Sequence, residues 1–271
     1  MDPVVDIAWL DRHRSECVLA DVRWYPHGRS GRDAYASGHL PAAVFVDLER
    51  YLSGPEDPAQ GRHPLPHPGT FAERMGELGI GDEDIVVAYD DAGGVIAARL
   101  VWMLRAIAHP AALLDGGLLA WPRELKREAT TRPRTQFTPR PWPGDRLAGP
   151  DDVAERGAVV IDARQRERFR GEPDPLDPRA GHIPGALSLP CRENVDEAGR
   201  FLPVDELRRR LATAGVRRGE SVISYCGSGV TACHNLIAIE HAGLGRGRLY
   251  PGSWSQWSRD PTREAAIGEA P

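Results

Sequence analysis

Lysine is almost absent from the chain. Lys126 is the only one, and the rest of the 34 basic residues are arginine. We read this bias as coding preference rather than chemistry. Cysteine is scarce too, with four residues: Cys17, Cys191, Cys226 and Cys233. They form no C-x-x-C pair, and no Cys/His set has zinc spacing. Neither a metal site nor a disulfide scaffold is therefore expected, and any cysteine chemistry should be thiol chemistry. No apolar run reaches the roughly 18 residues of a membrane span. The N-terminal stretch lacks a basic segment followed by an apolar one, so no signal peptide is expected and a cytoplasmic, reducing location is. Positive charge is not in excess either: the net charge is −5. That gives no electrostatic case for nucleic acid or an anionic membrane as partner. What remains is an ordinary globular composition, with 41% hydrophobic and 27% charged residues over 271 positions. This is enough apolar material for one large domain or two of medium size.

Four landmarks occur twice in the same order. Asp21-Val22-Arg23 returns as Asp162-Ala163-Arg164, each after an apolar run. GHLPAA at 38–43 returns as GHIPGA at 181–186. IVVAYDDAGG at 85–94 returns as SVISYCGSGV at 221–230, and LLDGGLLAW at 113–121 as RLYPGSWSQW at 248–257. The offsets of 136 to 143 residues are too long for a solenoid and mean two copies of one domain. Residues 129–150 carry five prolines and no helical or strand period. They read as an extended linker, ordered by packing of Phe137 and Trp142. The expected organisation is a first domain over 1–128, a linker over 129–150 and a second domain over 151–271.

Each copy alternates short apolar runs with amphipathic stretches. Strands are predicted at 17–20, 85–89 and 112–115, and again at 158–162, 221–225 and 248–250. Helices are predicted at 70–79, 94–107, 205–215 and 231–243. This alternation predicts an α/β fold with a parallel sheet flanked by helices, in which a ligand sits beyond the carboxyl ends of the strands. The turns of interest are then 90–95 and 226–231.

The second of these turns carries chemistry. A strand ends, Cys226 follows at once, Gly227 and Gly229 allow a tight loop, and a helix starts near Thr231. Successive N–H groups in such a loop form an anion nest, reinforced by the helix N-terminus. The nest can hold a negative group attached to the cysteine sulfur. A cysteine phosphatase would need an arginine to clamp the phosphoryl oxygens, but Ala232 stands at the C-x5-R position. Transfer of a sulfane sulfur needs only a compact nest around one extra sulfur, which this six-residue loop suits. Cys17, Cys191 and Cys233 read as bystanders, and the repeated His39 and His182 as structural.

Cys226-Gly227-Ser228-Gly229-Val230-Thr231-Ala232, together with the paired GHLPAA/GHIPGA and DVR/DAR segments, resembles the tandem two-domain rhodanese-family sulfurtransferases. The loop is similar to that of the mercaptopyruvate sulfurtransferase branch. The resemblance implies two rhodanese-like domains with only the second catalytic, in agreement with Asp90 standing where Cys226 stands in the other copy. It implies Cys226 as the persulfide-forming nucleophile within the loop of Gly227, Ser228, Gly229, Val230 and Thr231. It also implies Arg168 as a substrate arginine, with Arg164 a further candidate. A second substrate arginine should end an E-P-E-P-R stretch, but here that stretch ends on Leu176. Arg179, three residues on, is the expected substitute. Asp47 and His63 match the family's F-x-D and H-x-L-P segments, and with Ser228 they would form a Ser–His–Asp relay. The implied reaction moves sulfur from 3-mercaptopyruvate or thiosulfate to cyanide or a thiol, which could include thioredoxin. No cofactor and no metal are implied, and a monomer is expected. A thiosulfate-preferring enzyme and a non-enzymatic persulfide carrier for a protein partner remain open.

Overall fold

The computed structural model describes residues 1–155 and 157–269. Two compact units emerge. The first comprises Met1–Gly54, Pro66–Trp142 and the short insert Val195–Phe201. The second comprises Pro55–Leu65, Pro143–Asn194 and the chain from Leu202 onward. Neither unit follows the sequence without interruption: residues 55–65 belong to the second, although they lie within the first copy.

The first unit is built on a five-stranded sheet: β1 (Val4–Val5), β2 (Cys17–Asp21), β3 (Ala43–Phe45), β4 (Ile85–Tyr89) and β5 (Ala111–Leu114). Its order is β1-β5-β4-β2-β3, and every pairing is parallel. The second unit carries β6 (Val159–Asp162), β7 (Leu187–Ser188), β8 (Val222–Tyr225) and β9 (Arg248–Leu249) in the order β7-β6-β8-β9, again all parallel. The predicted α/β class with parallel sheets is the observed one. The three strands that the sequence did not announce, β1, β3 and β7, are only two or three residues long. Such lengths cannot display a period.

Helices cover the sheets where apolar spacing demands it. In the helix Val204–Thr213, Leu207 and Leu211 are buried, Asp205 and Glu206 sit in the first turn and Arg210 in the last, which suits the helix dipole. The helix Ala232–His241 is buried from Ala232 through Ile239, so its sequence is apolar on nearly all faces. Phe137 packs edge-on against Phe71, and the indole of Trp142 donates to the Pro66 carbonyl at 2.8 Å, so the proline-rich stretch is pinned within the first unit. Among the described residues no helix is long and apolar enough to cross a membrane.

The helix predicted from 94 begins only at Ala98. The reason is local. The buried Asp90 side chain accepts hydrogen bonds from the backbone N–H groups of Ala92, Gly94, Ile96 and Ala97, at 2.7–2.9 Å. Residues 90–97 therefore wrap around a carboxyl group instead of starting the helix. Burial still leaves that carboxyl above its ordinary value despite the four bonds. Removing the acceptor would strand several buried donors, each worth about 1–3 kcal/mol. Asp90→Ala should lower the unfolding free energy by at least about 2 kcal/mol and speed amide exchange at Gly94, Ile96 and Ala97. Unchanged denaturation midpoints and exchange rates would refute this account of the loop.

Candidate active site

The corresponding loop of the second unit is built alike but filled differently. It leaves β8 at Cys226 and enters the helix Ala232–His241. Cys226 is buried, and its Sγ accepts from the Gly229 N–H at 3.1 Å. Among the described residues, no protein group accepts from the N–H groups of Gly227, Ser228, Val230, Thr231 or Ala232. The first unit closes this arc with its own carboxyl; here a sulfur atom stands beside open donors. Gly229 has φ of +77°, and a side chain there would meet the Pro251 carbonyl oxygen at 2.4 Å, so only glycine fits.

The segment 250–257 holds the loop from below. The Cys226 carbonyl accepts from the Trp254 N–H at 2.9 Å, and the Gly227 carbonyl from the Ser255 N–H at 2.8 Å. The Cys226 N–H donates to Ser253 Oγ at 3.1 Å. Ser253 achieves this at φ of +51°, a strained conformation for a residue with a side chain. The first copy has Gly117 at the matching position, with φ of +49°. The strain is thus retained where a hydroxyl reaches the cysteine backbone and avoided where none is needed.

His63 comes to the site on the segment 55–65. Its Nδ1 lies 2.7 Å from Ser228 Oγ, and both residues are buried. Gly61, at φ of +94°, allows the close approach: a side chain there would strike the Gly252 carbonyl oxygen at 2.6 Å. Asp47 lies in the first unit, where its carboxylate caps the helix Leu48–Leu52 by accepting from the Arg50 N–H at 2.9 Å.

The arginines divide sharply. Arg164, a substrate candidate, forms a buried lock within the second unit. Its guanidinium is buried, grips both oxygens of Asp162, and donates to the Gly181 carbonyl at 2.7 Å. Arg23 makes the same set of contacts with Asp21 and Gly38 in the copy without a cysteine, so the arrangement serves the fold. Burial acts to lower the Arg164 pKa, but the Asp162 carboxylate more than offsets it and holds the value above the ordinary one. Arg179, expected to replace the missing substrate arginine, is also committed elsewhere. It donates to the carbonyls of Trp257, Ser258, Asp260 and Arg263 at 2.7–2.9 Å and ties down the C-terminal segment. Arg168 is half-buried and pairs with Asp174 and, at 3.0 Å, with Asp177. Burial, and then repulsion from Arg164, push its pKa below the ordinary value.

Sequence reasoning missed Arg62. Its Nη1 pairs with Asp177 and donates to the Leu176 carbonyl at 2.8 Å. A methyl group added at Gly227 would stand 3.2 Å from its Nη2. The available signal was a cation directly preceding His63. Of the other thiols, Cys191 is buried, and burial pushes it up to about 12. Cys233 is buried in the helix and donates to the Gly229 carbonyl.

The Rhodanese-like domain family matches residues 6–124 and 150–260. A provisionally named 3-mercaptopyruvate sulfurtransferase of Pseudomonas aeruginosa is 41% identical over 255 residues, covering 88% of each chain. SseB of Mycobacterium tuberculosis, provisionally named a thiosulfate sulfurtransferase, is 40% identical over 93% of this chain and 91% of its own. Among solved structures, SseA from Escherichia coli, described with the rhodanese fold of the 3-mercaptopyruvate enzymes, superposes with a TM-score of 0.80. It is 34% identical over 94% of this chain and 99% of its own. With two matched domains and relatives of this similarity over nearly its whole length, the chain belongs to the rhodanese family.

Proposed function

We propose that the protein is a sulfurtransferase that moves a sulfane sulfur from 3-mercaptopyruvate, through a persulfide on Cys226, to cyanide or a thiol. The observation that carries this reading is the sulfur of Cys226 set beside backbone donors that no protein group among the described residues uses. In the first half-reaction the Cys226 thiolate attacks the donor sulfur. The new S–S bond forms as the C–S bond breaks, and the pyruvate enolate takes a proton delivered through the Ser228–His63 pair. The N–H groups of residues 227–232 hold the persulfide charge. In the second half-reaction the acceptor attacks the outer sulfur, and the S–S bond breaks to restore the Cys226 thiolate. Cyanide leaves as thiocyanate; a thiol leaves as its own persulfide, and reduced thioredoxin can serve in that place. Arg168 supplies positive charge for the donor's anionic end, Asp47 completes the relay with His63, and the first copy, with Asp90 in place of a nucleophile, is not catalytic. The enzyme works as a monomer.

Thiosulfate is the second reading. Leu176 in place of the second substrate arginine, and the name given to the Mycobacterium tuberculosis relative, favour it. There the same thiolate displaces sulfite. Intact mass spectrometry after incubation with each donor tests both readings. The wild type should gain one sulfur atom and Cys226→Ser none; no gain with either donor would end the catalytic reading. The ratio of kcat/KM for the two donors then decides between them, and turnover with cyanide alone separates an enzyme from a carrier that needs a protein acceptor.

Two further variants probe the machinery. Asparagine caps a helix as well as aspartate does, so Asp47→Asn should keep the melting temperature while lowering kcat with 3-mercaptopyruvate at least about tenfold. An unaltered kcat would remove Asp47 from the relay. Ser253→Gly should relieve backbone strain and remove the acceptor of the Cys226 N–H. Its expected signature is slower persulfide formation in single-turnover mixing; wild-type rates would show that the hydroxyl is dispensable.

A further inference from the structure

Asp177 is the hinge of an arrangement that the relay and the nest do not use. Its carboxylate is almost wholly buried and takes a guanidinium on each oxygen: Arg62 on Oδ1 and Arg168 on Oδ2. The two cations are not equivalent. Arg168 spends both terminal nitrogens on carboxylates, Asp174 and Asp177. Arg62 spends only Nη1, on Asp177 and the Leu176 carbonyl. Among the described residues no protein group accepts from its Nε or Nη2.

Both ends of Arg62 are registered to the cysteine loop. Its backbone N–H donates to Ser255 Oγ at 3.1 Å, and the Ser255 N–H donates to the Gly227 carbonyl at 2.8 Å. At the other end, Nη2 stands beside Gly227, next to the nucleophile in the chain. The side chain is only 16% exposed, so its charge is poorly screened. Its docking point is the carbonyl of Leu176, the residue that replaces the expected second substrate arginine. A buried carboxylate and a carbonyl thus fix half of a guanidinium and leave the other half beside Gly227.

We infer that Arg62 is a second donor-recognising residue of this site, beside Arg168. Its Nη2 binds the anionic end of the sulfur donor, the carboxylate of an α-keto acid or an oxygen of thiosulfate, while Cys226 takes the sulfur. Arg62 therefore supplies, from the segment 55–65, the cation missing at position 176. Asp177 acts as a positioning residue for it. The inference rests on the sulfur-transfer reading of Cys226.

Steady-state kinetics on the full-length chain test it, with 3-mercaptopyruvate as donor and an uncharged dithiol as acceptor. Arg62→Ala should raise the donor KM at least about tenfold and leave the acceptor KM unchanged. Millimolar guanidinium should restore part of the loss. Arg62→Lys keeps the charge and the Asp177 pair but not the fork, and should fall between wild type and Arg62→Ala; it carries the test if Arg62→Ala does not fold. A donor KM within about twofold of wild type in Arg62→Ala, or in Arg62→Lys where Arg62→Ala does not fold, would overturn the inference, as would equal rises in donor and acceptor KM without guanidinium rescue. Failure of the underlying reading looks different: the wild-type protein itself would then gain no sulfur from any donor.

Discussion

Backbone N–H groups folded into an arc need an acceptor, and the protein meets that need in two ways. In the first unit the Asp90 carboxyl is bonded to four such groups, and the loop closes on itself. In the second unit Cys226 accepts from one, at Gly229, and the neighbouring donors have no protein partner among the described residues. A buried donor without an acceptor costs about 1–3 kcal/mol, so such an arc favours an acceptor atom within it. On the proposed reading, a persulfide sulfur attached to Cys226 is that acceptor. The same backbone therefore makes a structural plug or a sulfur cradle according to one side chain.

The rest of the second unit holds that arc in place. The Asp162–Arg164–Gly181 lock, like its counterpart Asp21–Arg23–Gly38, joins the end of a central strand to the G-H-x-P turn. Removing one partner of such a buried pair typically costs about 3–5 kcal/mol, which explains why the motif recurs in a copy with no nucleophile. His182 stacks on Phe169 with ring centres 3.6 Å apart, and His39 on Tyr35 at 3.8 Å, a second repeated feature that serves the fold. Ser253 breaks the pattern: it accepts backbone strain at the position where the other copy has glycine, and in return places a hydroxyl under Cys226.

The parallel sheets, the central strands and the cysteine loop were legible in the sequence because they are local. Apolar runs ended by turns announce β2, β4, β6 and β8, and the glycines after Cys226 announce the nest. The arginines were not legible. Arg164 and Arg168 lie four residues apart, yet one is sealed on Asp162 and the other half-buried at the rim. Arg179 has the right residue type near the right motif, but four carbonyls from 257–263 claim it. Periodicity and motif spacing carry no information about which carbonyls a guanidinium will find. The start of the helix at Ala98 was misplaced for a related reason: Asp90 competes with the helix for the same N–H groups.

Arg62 was hidden by distance along the chain. It pairs with Asp177 across 115 residues, on a segment that sequence order assigns to one copy and packing assigns to the other unit. The placement of 55–65 matters because that short segment brings two side chains to the cysteine loop, the imidazole of His63 against Ser228 and the guanidinium of Arg62 beside Gly227. Gly61 makes the approach possible, since any side chain there would collide with Gly252 and Ser255. An acid–base group and an anion-binding group on adjacent residues must move together. On the proposed reading, a shift of the segment would alter donor binding and proton delivery together, because Arg62 and Gln256 tie 55–65 to the segment 250–257.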